Sequence, residues 1–104
     1  MIYCLYFSTR NKATVRCNGN IWRIHTNDKD DFPSNFHAHN IETGEKLDLY
    51  NGRLYTPVTK KYLFKVHKKD LIIILLAFKG RRIKELSLKA DAVLSLFNKS
   101  SKTG

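Results

Sequence analysis

Long apolar runs are missing from this sequence: the longest, LIIILLAF at 71–78, has eight residues, far short of the roughly 20 that span a bilayer as a helix. A membrane partner is therefore not expected. The start, MIYCLYFSTR, is apolar but brief, with no basic lead-in and no small-residue cleavage site, so a secretory signal is not expected either and a cytoplasmic protein is. Cysteine is scarce, with Cys4 and Cys17 alone and no CxxC pair. In a reducing compartment the expected state is two buried thiols rather than a disulfide. Internal repeats and low-complexity segments are absent. So are a Ser-His-Asp order, a phosphate-binding Gly-rich loop and a dinucleotide fingerprint, which removes most nucleotide-hydrolysing and redox enzymes and implies no cofactor.

Acid is the other shortage. Nine Asp/Glu stand against 19 Lys/Arg, for a formal net charge of +10. The imbalance is lopsided. Residues 1–52 hold six bases and six acids, whereas residues 53–104 hold thirteen bases and three acids. Such a like-charged surface costs the compact state unless an anionic partner offsets it, and nucleic acid is the commonest such partner.

What is present is a 104-residue chain, long enough for one domain with its own apolar core. Residues 1–98 are expected to form it and 99–104 a disordered tail. Turn dipeptides divide the first half into short strands. Residues 2–8 read as a strand buried on both faces. In ATVRCNGNIWRIHT a Gly19-Asn20 turn sets Cys17 against Trp22 and Val15 against Ile24, leaving Arg16 opposite Arg23 and Thr14 opposite His25. This register is preferred over an Asn18-Gly19 turn, which mixes the two faces. Residues 27–34 form a polar loop, NFHAHNIE a strand, and TGEK a turn. A type I′ turn at Asn51-Gly52 pairs Leu49 with Leu54 and Tyr50 with Arg53.

YLFKV reads as a further strand. Residues 69–79 are read as a strand too, on three consecutive isoleucines, although periodicity alone fits a helix nearly as well. From Arg81 onward Ile83, Leu86, Ala90, Val93, Leu94 and Phe97 recur at helical spacing. The expected fold class is α+β: an antiparallel β-sheet, a meander of hairpins, packed against a C-terminal amphipathic helix of roughly five turns.

His37 and His39 are the residues that could carry chemistry. In a strand they point the same way, with Ile41 behind them on the same face. They have three readings: sheet residues bonded to backbone, a metal site completed by Asp30, Asp31 or His25, or a catalytic pair. A zinc site needs three or four convergent ligands, and only two are fixed, so no metal is assigned. A neutral imidazole can take or give a proton near neutral pH. The catalytic candidates for RNA cleavage are thus His37, His39 and His25. The phosphate-binding candidates are Arg16, Arg23, Arg53, Lys60, Lys61, Lys65, Lys68, Lys69, Lys79, Arg81 and Arg82, and Tyr3, Tyr6, Tyr50, Tyr55 and Tyr62 are candidate stacking surfaces.

The run FPSNFHAHNIETGEKLDLYNGRLY, through Pro33, His37 and His39 and the β-then-α order, resembles small uncharacterised bacterial domains. These carry a Pro-x-x-Phe-His-x-His-like segment inside a β-meander, and some are associated with toxin–antitoxin or mobile-element loci. The resemblance implies a toxin-type ribonuclease. The leading expectation is a small basic protein that binds nucleic acid, RNA ahead of DNA. The alternative is a non-enzymatic module whose basic surface docks an acidic protein partner.

Overall fold

The computed structural model describes residues 5–8, 12–25, 30–79 and 84–103. It has the α+β architecture expected. Seven strands, β1 (Leu5–Ser8), β2 (Lys12–Cys17), β3 (Asn20–His25), β4 (His37–Asn40), β5 (Lys46–Asp48), β6 (Arg53–Tyr55) and β7 (Tyr62–Lys65), precede α1 (Lys68–Lys79) and α2 (Lys84–Thr103). Each strand lies antiparallel to its chain neighbour, in the order β1 to β7.

The β2–β3 hairpin turns at Asn18-Gly19, not at the expected Gly19-Asn20. Asn18 and Gly19 both have positive φ, 51° and 81°, the twist a two-residue turn needs between right-handed strands. Val15 then pairs with Trp22, Ala13 with Ile24, Thr14 with Arg23 and Arg16 with Ile21. The faces do not mix as feared. Ala13, Val15, Cys17, Trp22 and Ile24 are all buried, and only Ile21 falls among the polar residues of the other side. Arg16 and Arg23 are no longer opposed, and the Arg23 Nε donates to Thr14 Oγ1 at 3.1 Å.

Two further registers differ from expectation for local reasons. β4 stops at Asn40, whose side-chain oxygen accepts the Glu42 and Thr43 amides at 3.0 and 3.2 Å. Such a turn competes with the ladder, and it leaves Ile41 exposed instead of behind the histidines. β5 stops at Asp48, whose carboxylate accepts the Tyr50 amide at 3.0 Å while Gly52 N–H reaches the Asp48 carbonyl at 2.7 Å. The connection is a loop over 49–52 rather than Asn51-Gly52 alone, so Leu47, not Leu49, pairs with Leu54.

Residues 68–79 are a helix, not a strand. Leu71, Ile74, Leu75 and Phe78 are its buried side chains, spaced i, i+3, i+4, i+7. The His67 ring accepts the Lys69 amide at 3.2 Å and the His67 carbonyl accepts the Leu71 amide at 3.0 Å. Asp70 sits in the first turn and Lys79 in the last, charges that suit the helix dipole. His67-Lys-Lys-Asp is thus a helix start that outweighs the β preference of the isoleucines.

α1 packs on β2, and α2 packs on α1. Ala90 and Val93 join the core, with Leu94 and Phe97 partly buried against it. Ile83 and the Leu86 side chain lie outside the described residues. α2 continues to Thr103, into the segment read as a tail.

Cys17 is disulfide-bonded, which corrects the expectation of two reduced thiols; Cys4, the other cysteine of the sequence, lies outside the described residues. Disulfides persist in oxidising compartments, so the cysteines no longer argue for the cytoplasm. Among the described residues no helix is long and apolar enough to cross a membrane.

Candidate nucleic-acid interface

α1, with α2 packed on it, covers the face of the sheet that carries Val15, Trp22, Ala38, Leu47 and Leu54. Strand alternation sends the intervening side chains to the opposite, helix-free face. Cross-strand partners therefore form a continuous polar row: Thr14 faces Arg23, Arg23 faces His39, His39 faces Lys46, Lys46 faces Tyr55 and Tyr55 faces Tyr62. Arg16, His37, Asp48, Arg53 and Lys65 lie on the same face in the flanking rows.

The loop from Asp30 to Phe36 straps the middle of that face. Lys46 is almost wholly covered, and its ammonium is paired with the Asp30 carboxylate. That hydrogen bond, reinforced by the Phe32 amide and, less strongly, by the charges of Lys46 and Lys60, lowers the Asp30 pKa to about 2 against the opposing desolvation. Phe32 packs edge-on against Tyr55 with ring centroids 5.0 Å apart, and Tyr55 packs edge-on against Tyr62 at 5.9 Å. Cations interleave the rings. Lys60 lies 5.1 Å and Lys46 5.9 Å from the Phe32 centroid, and the Arg53 guanidinium 5.9 Å from that of Tyr62, all within cation–π range.

Beside Tyr62, Arg53 pairs directly with Lys65 on the neighbouring strand. Both are exposed. Like charges in directly opposed positions are unfavourable unless they share an anion or splay into water.

The histidines divide. His37 is buried, and its Nδ1 lies 2.6 Å from the Ser34 carbonyl. A carbonyl oxygen can only accept, so that nitrogen carries a proton. The Ser34 hydroxyl in turn lies 3.0 Å from Asp48 Oδ1, so His37 belongs to a network that holds the strap to β5. His39 is half-buried, flanked by Arg23 and Lys46, with its ring centroid 4.9 Å from that of His37 at an interplanar angle of 66°. The His25 side chain lies outside the described residues. Among the described residues no three His, Cys, Asp or Glu side chains converge as a metal site.

The phosphate-binding candidates separate into two groups. Arg16, Arg23, Arg53 and Lys65 occupy the helix-free face, Lys60 joins them through Phe32, and Lys61 is exposed in the β6–β7 connection. Lys68, Lys69 and Lys79 belong to α1; Lys68 lies 5.4 Å from the Phe97 ring centroid and Lys79 pairs with Asp91 at 2.8 Å. Arg81 and Arg82 lie outside the described residues. The basic surface thus draws on both halves of the chain. Of the tyrosines, Tyr55 and Tyr62 enter the cluster. Tyr50 donates to Asn35 Oδ1 at 2.8 Å and packs on Phe36, while Tyr3 and the Tyr6 side chain lie outside the described residues.

Phe32 and Lys46 were missed as site residues. The signal for Lys46 was available, because a residue one position before a core leucine in a strand must face away from that core. No family model matches the chain, and neither the curated proteins nor the solved structures contain a match to it.

Proposed function

We propose that this protein binds single-stranded nucleic acid, RNA ahead of DNA, on the helix-free face of its sheet. The observation that carries the reading is Arg53 opposed to Lys65 beside the exposed ring of Tyr62. A phosphate between the two cations removes their repulsion. An unpaired base then stacks on Tyr62, within the aromatic cluster that Tyr55 and Phe32 complete. Aromatic faces interleaved with cations suit unpaired bases of any sequence, and Arg16, Arg23 and Lys60 extend the phosphate contacts without reading bases. The basic composition supports the same reading.

The test is fluorescence anisotropy with a labelled oligouridylate over a series of salt concentrations. Affinity falls linearly on a log–log plot against salt. Arg53→Ala and Lys65→Ala each reduce the slope by about one, the expectation for a lost phosphate contact. Tyr62→Ala costs about 1–3 kcal/mol with little change in slope. Absence of binding at low salt rejects the reading.

A toxin-type ribonuclease is the second reading, favoured by His39 standing between Arg23 and Lys46. There the His39 imidazole takes the proton of a ribose 2′-hydroxyl as its oxygen attacks phosphorus. The P–O5′ bond breaks with a proton supplied to the leaving oxygen by water, and the Arg23 guanidinium stabilises the charge on the phosphoryl oxygens. Incubation of total RNA with wild type and with His37→Ala/His39→Ala separates the two. RNA cut by the wild type alone supports cleavage, and intact RNA that still shifts on the gel leaves a binder.

A further inference from the structure

Among the described residues β7 ends the sheet, and its pairing partner is β6. All four of its residues are exposed. Edge strands are ordinarily blunted by charge, brevity or a bulge, because their outer N–H and C=O groups invite another chain. Lys61 precedes β7 and Lys65 ends it, and the strand's register against β6 shifts at Leu54/Tyr55. Between those guards it nevertheless presents Tyr62, Leu63 and Phe64, which are 55%, 40% and 56% exposed.

We propose that the outer edge of β7 accepts an extended acidic segment of a partner protein as an added strand. Charge decides the occupant. In a symmetric antiparallel pairing of β7 with a second copy, centred on Leu63, Lys61 of each chain meets Lys65 of the other, and two opposed like-charge pairs disfavour the dimer. The same two lysines favour a strand that places Glu or Asp opposite them. Main-chain hydrogen bonds supply affinity in this mode and alternate side chains supply selectivity. The apolar centre of β7 then takes apolar residues of the partner, and the flanking lysines reject basic or self strands. The main-chain edge of β7 is separate from the helix-free face, but Lys65 serves both, so nucleic acid and an acidic strand compete for that lysine while Lys61 and the edge itself serve the strand.

The experiment uses the full chain and two labelled eight-residue peptides, one alternating Glu with Val and one alternating Lys with Val. The Glu/Val peptide binds, more weakly as salt rises, and slows amide hydrogen exchange at Lys65, whose N–H lies between the inward-bonded amides of Phe64 and Val66 and so faces the outer edge; the Lys/Val peptide does not bind. Lys61→Glu/Lys65→Glu, at two exposed positions, lowers affinity for the Glu/Val peptide roughly tenfold and turns the preference towards Lys/Val. Circular dichroism confirms that this variant is folded. The proposal is overturned if the two peptides bind equally, if neither binds at millimolar concentration, if binding leaves β7 exchange unchanged, or if sedimentation shows a wild-type dimer paired through β7.

Discussion

Asp30, on the strap, holds the ammonium of Lys46, a lysine whose side chain is only 10% exposed on β5. A lysine so deeply covered needs a charged or hydrogen-bonding partner. The Asp30 pKa falls from 3.8 to about 2 on folding, chiefly through the Lys46 hydrogen bond. A depressed carboxylate pKa contributes stability that is complete above the unfolded value and is lost as pH falls through the folded one. Asp30→Asn should therefore lower the urea midpoint at neutral pH, with the difference from wild type fading between pH 3.8 and about 2. Lys46→Met in the Asp30→Asn background should recover part of the loss, because it removes the stranded charge. An unchanged midpoint at pH 7 for Asp30→Asn would show that the strap is not held by this pair.

Two glycines with nearly the same backbone should respond unequally to alanine. Gly19 has φ 81° and open space around it, whereas at Gly52, φ 83°, an added Cβ meets Leu71 Cδ2 at 3.2 Å and Val66 Cγ2 at 3.3 Å. Gly19→Ala is expected to cost about 1 kcal/mol, the strain of a left-handed alanine. Gly52→Ala adds crowding against the first turn of α1 and should cost roughly 2–3 kcal/mol. Denaturant unfolding of the two variants ranks them, and equal losses would place α1 farther from the β5–β6 loop.

Adjacent leucines distinguish a helix from a strand packed on both faces. Leu75 is fully buried and Leu76 is 53% exposed. Leu75→Ala should cost about 2–5 kcal/mol, and Leu76→Ala within about 0.5 kcal/mol of nothing. Comparable losses at both positions would favour a two-sided strand.

Cys17 belongs to a disulfide, so a thiol reagent should find no reactive sulfhydryl at this position in protein unfolded without reductant. Reduction before unfolding should expose it. Labelling of Cys17 in the unreduced chain would return the protein to the dithiol state expected of a reducing compartment.

Element type was legible in the sequence where periodicity was clear, as in the strands of the β2–β3 hairpin and in α2 with Ala90, Val93 and Phe97, although the hairpin's turn lies at Asn18-Gly19 and α2 runs on to Thr103. Registers were less legible, because side chains intervened that carry no periodic signature. Asn40 and Asp48 each turn their own backbone and shorten the strands they end. The isoleucines of α1 pulled the reading towards β, although Leu71, Ile74, Leu75 and Phe78 already had helical spacing and His67 and Asp70 flanked a helix start. At the candidate site, Tyr55, Tyr62, Arg53 and Lys65 could be named from residue type. Their assembly into one cluster could not be, since it depends on the β6–β7 register and on Phe32 reaching across from a distant loop.

Because each strand pairs with the one before it in the chain, the sheet never has to bring distant segments together before a ladder can form. Closing short connections costs little entropy, and a topology of local pairings correlates with fast folding. Assembly can run hairpin by hairpin, with α1 and α2 added at the end as the cap that commits the inner face. The protein should accordingly tolerate extra residues grafted at its open turn by Gly19, which lengthen a single closure and leave the remaining pairings undisturbed.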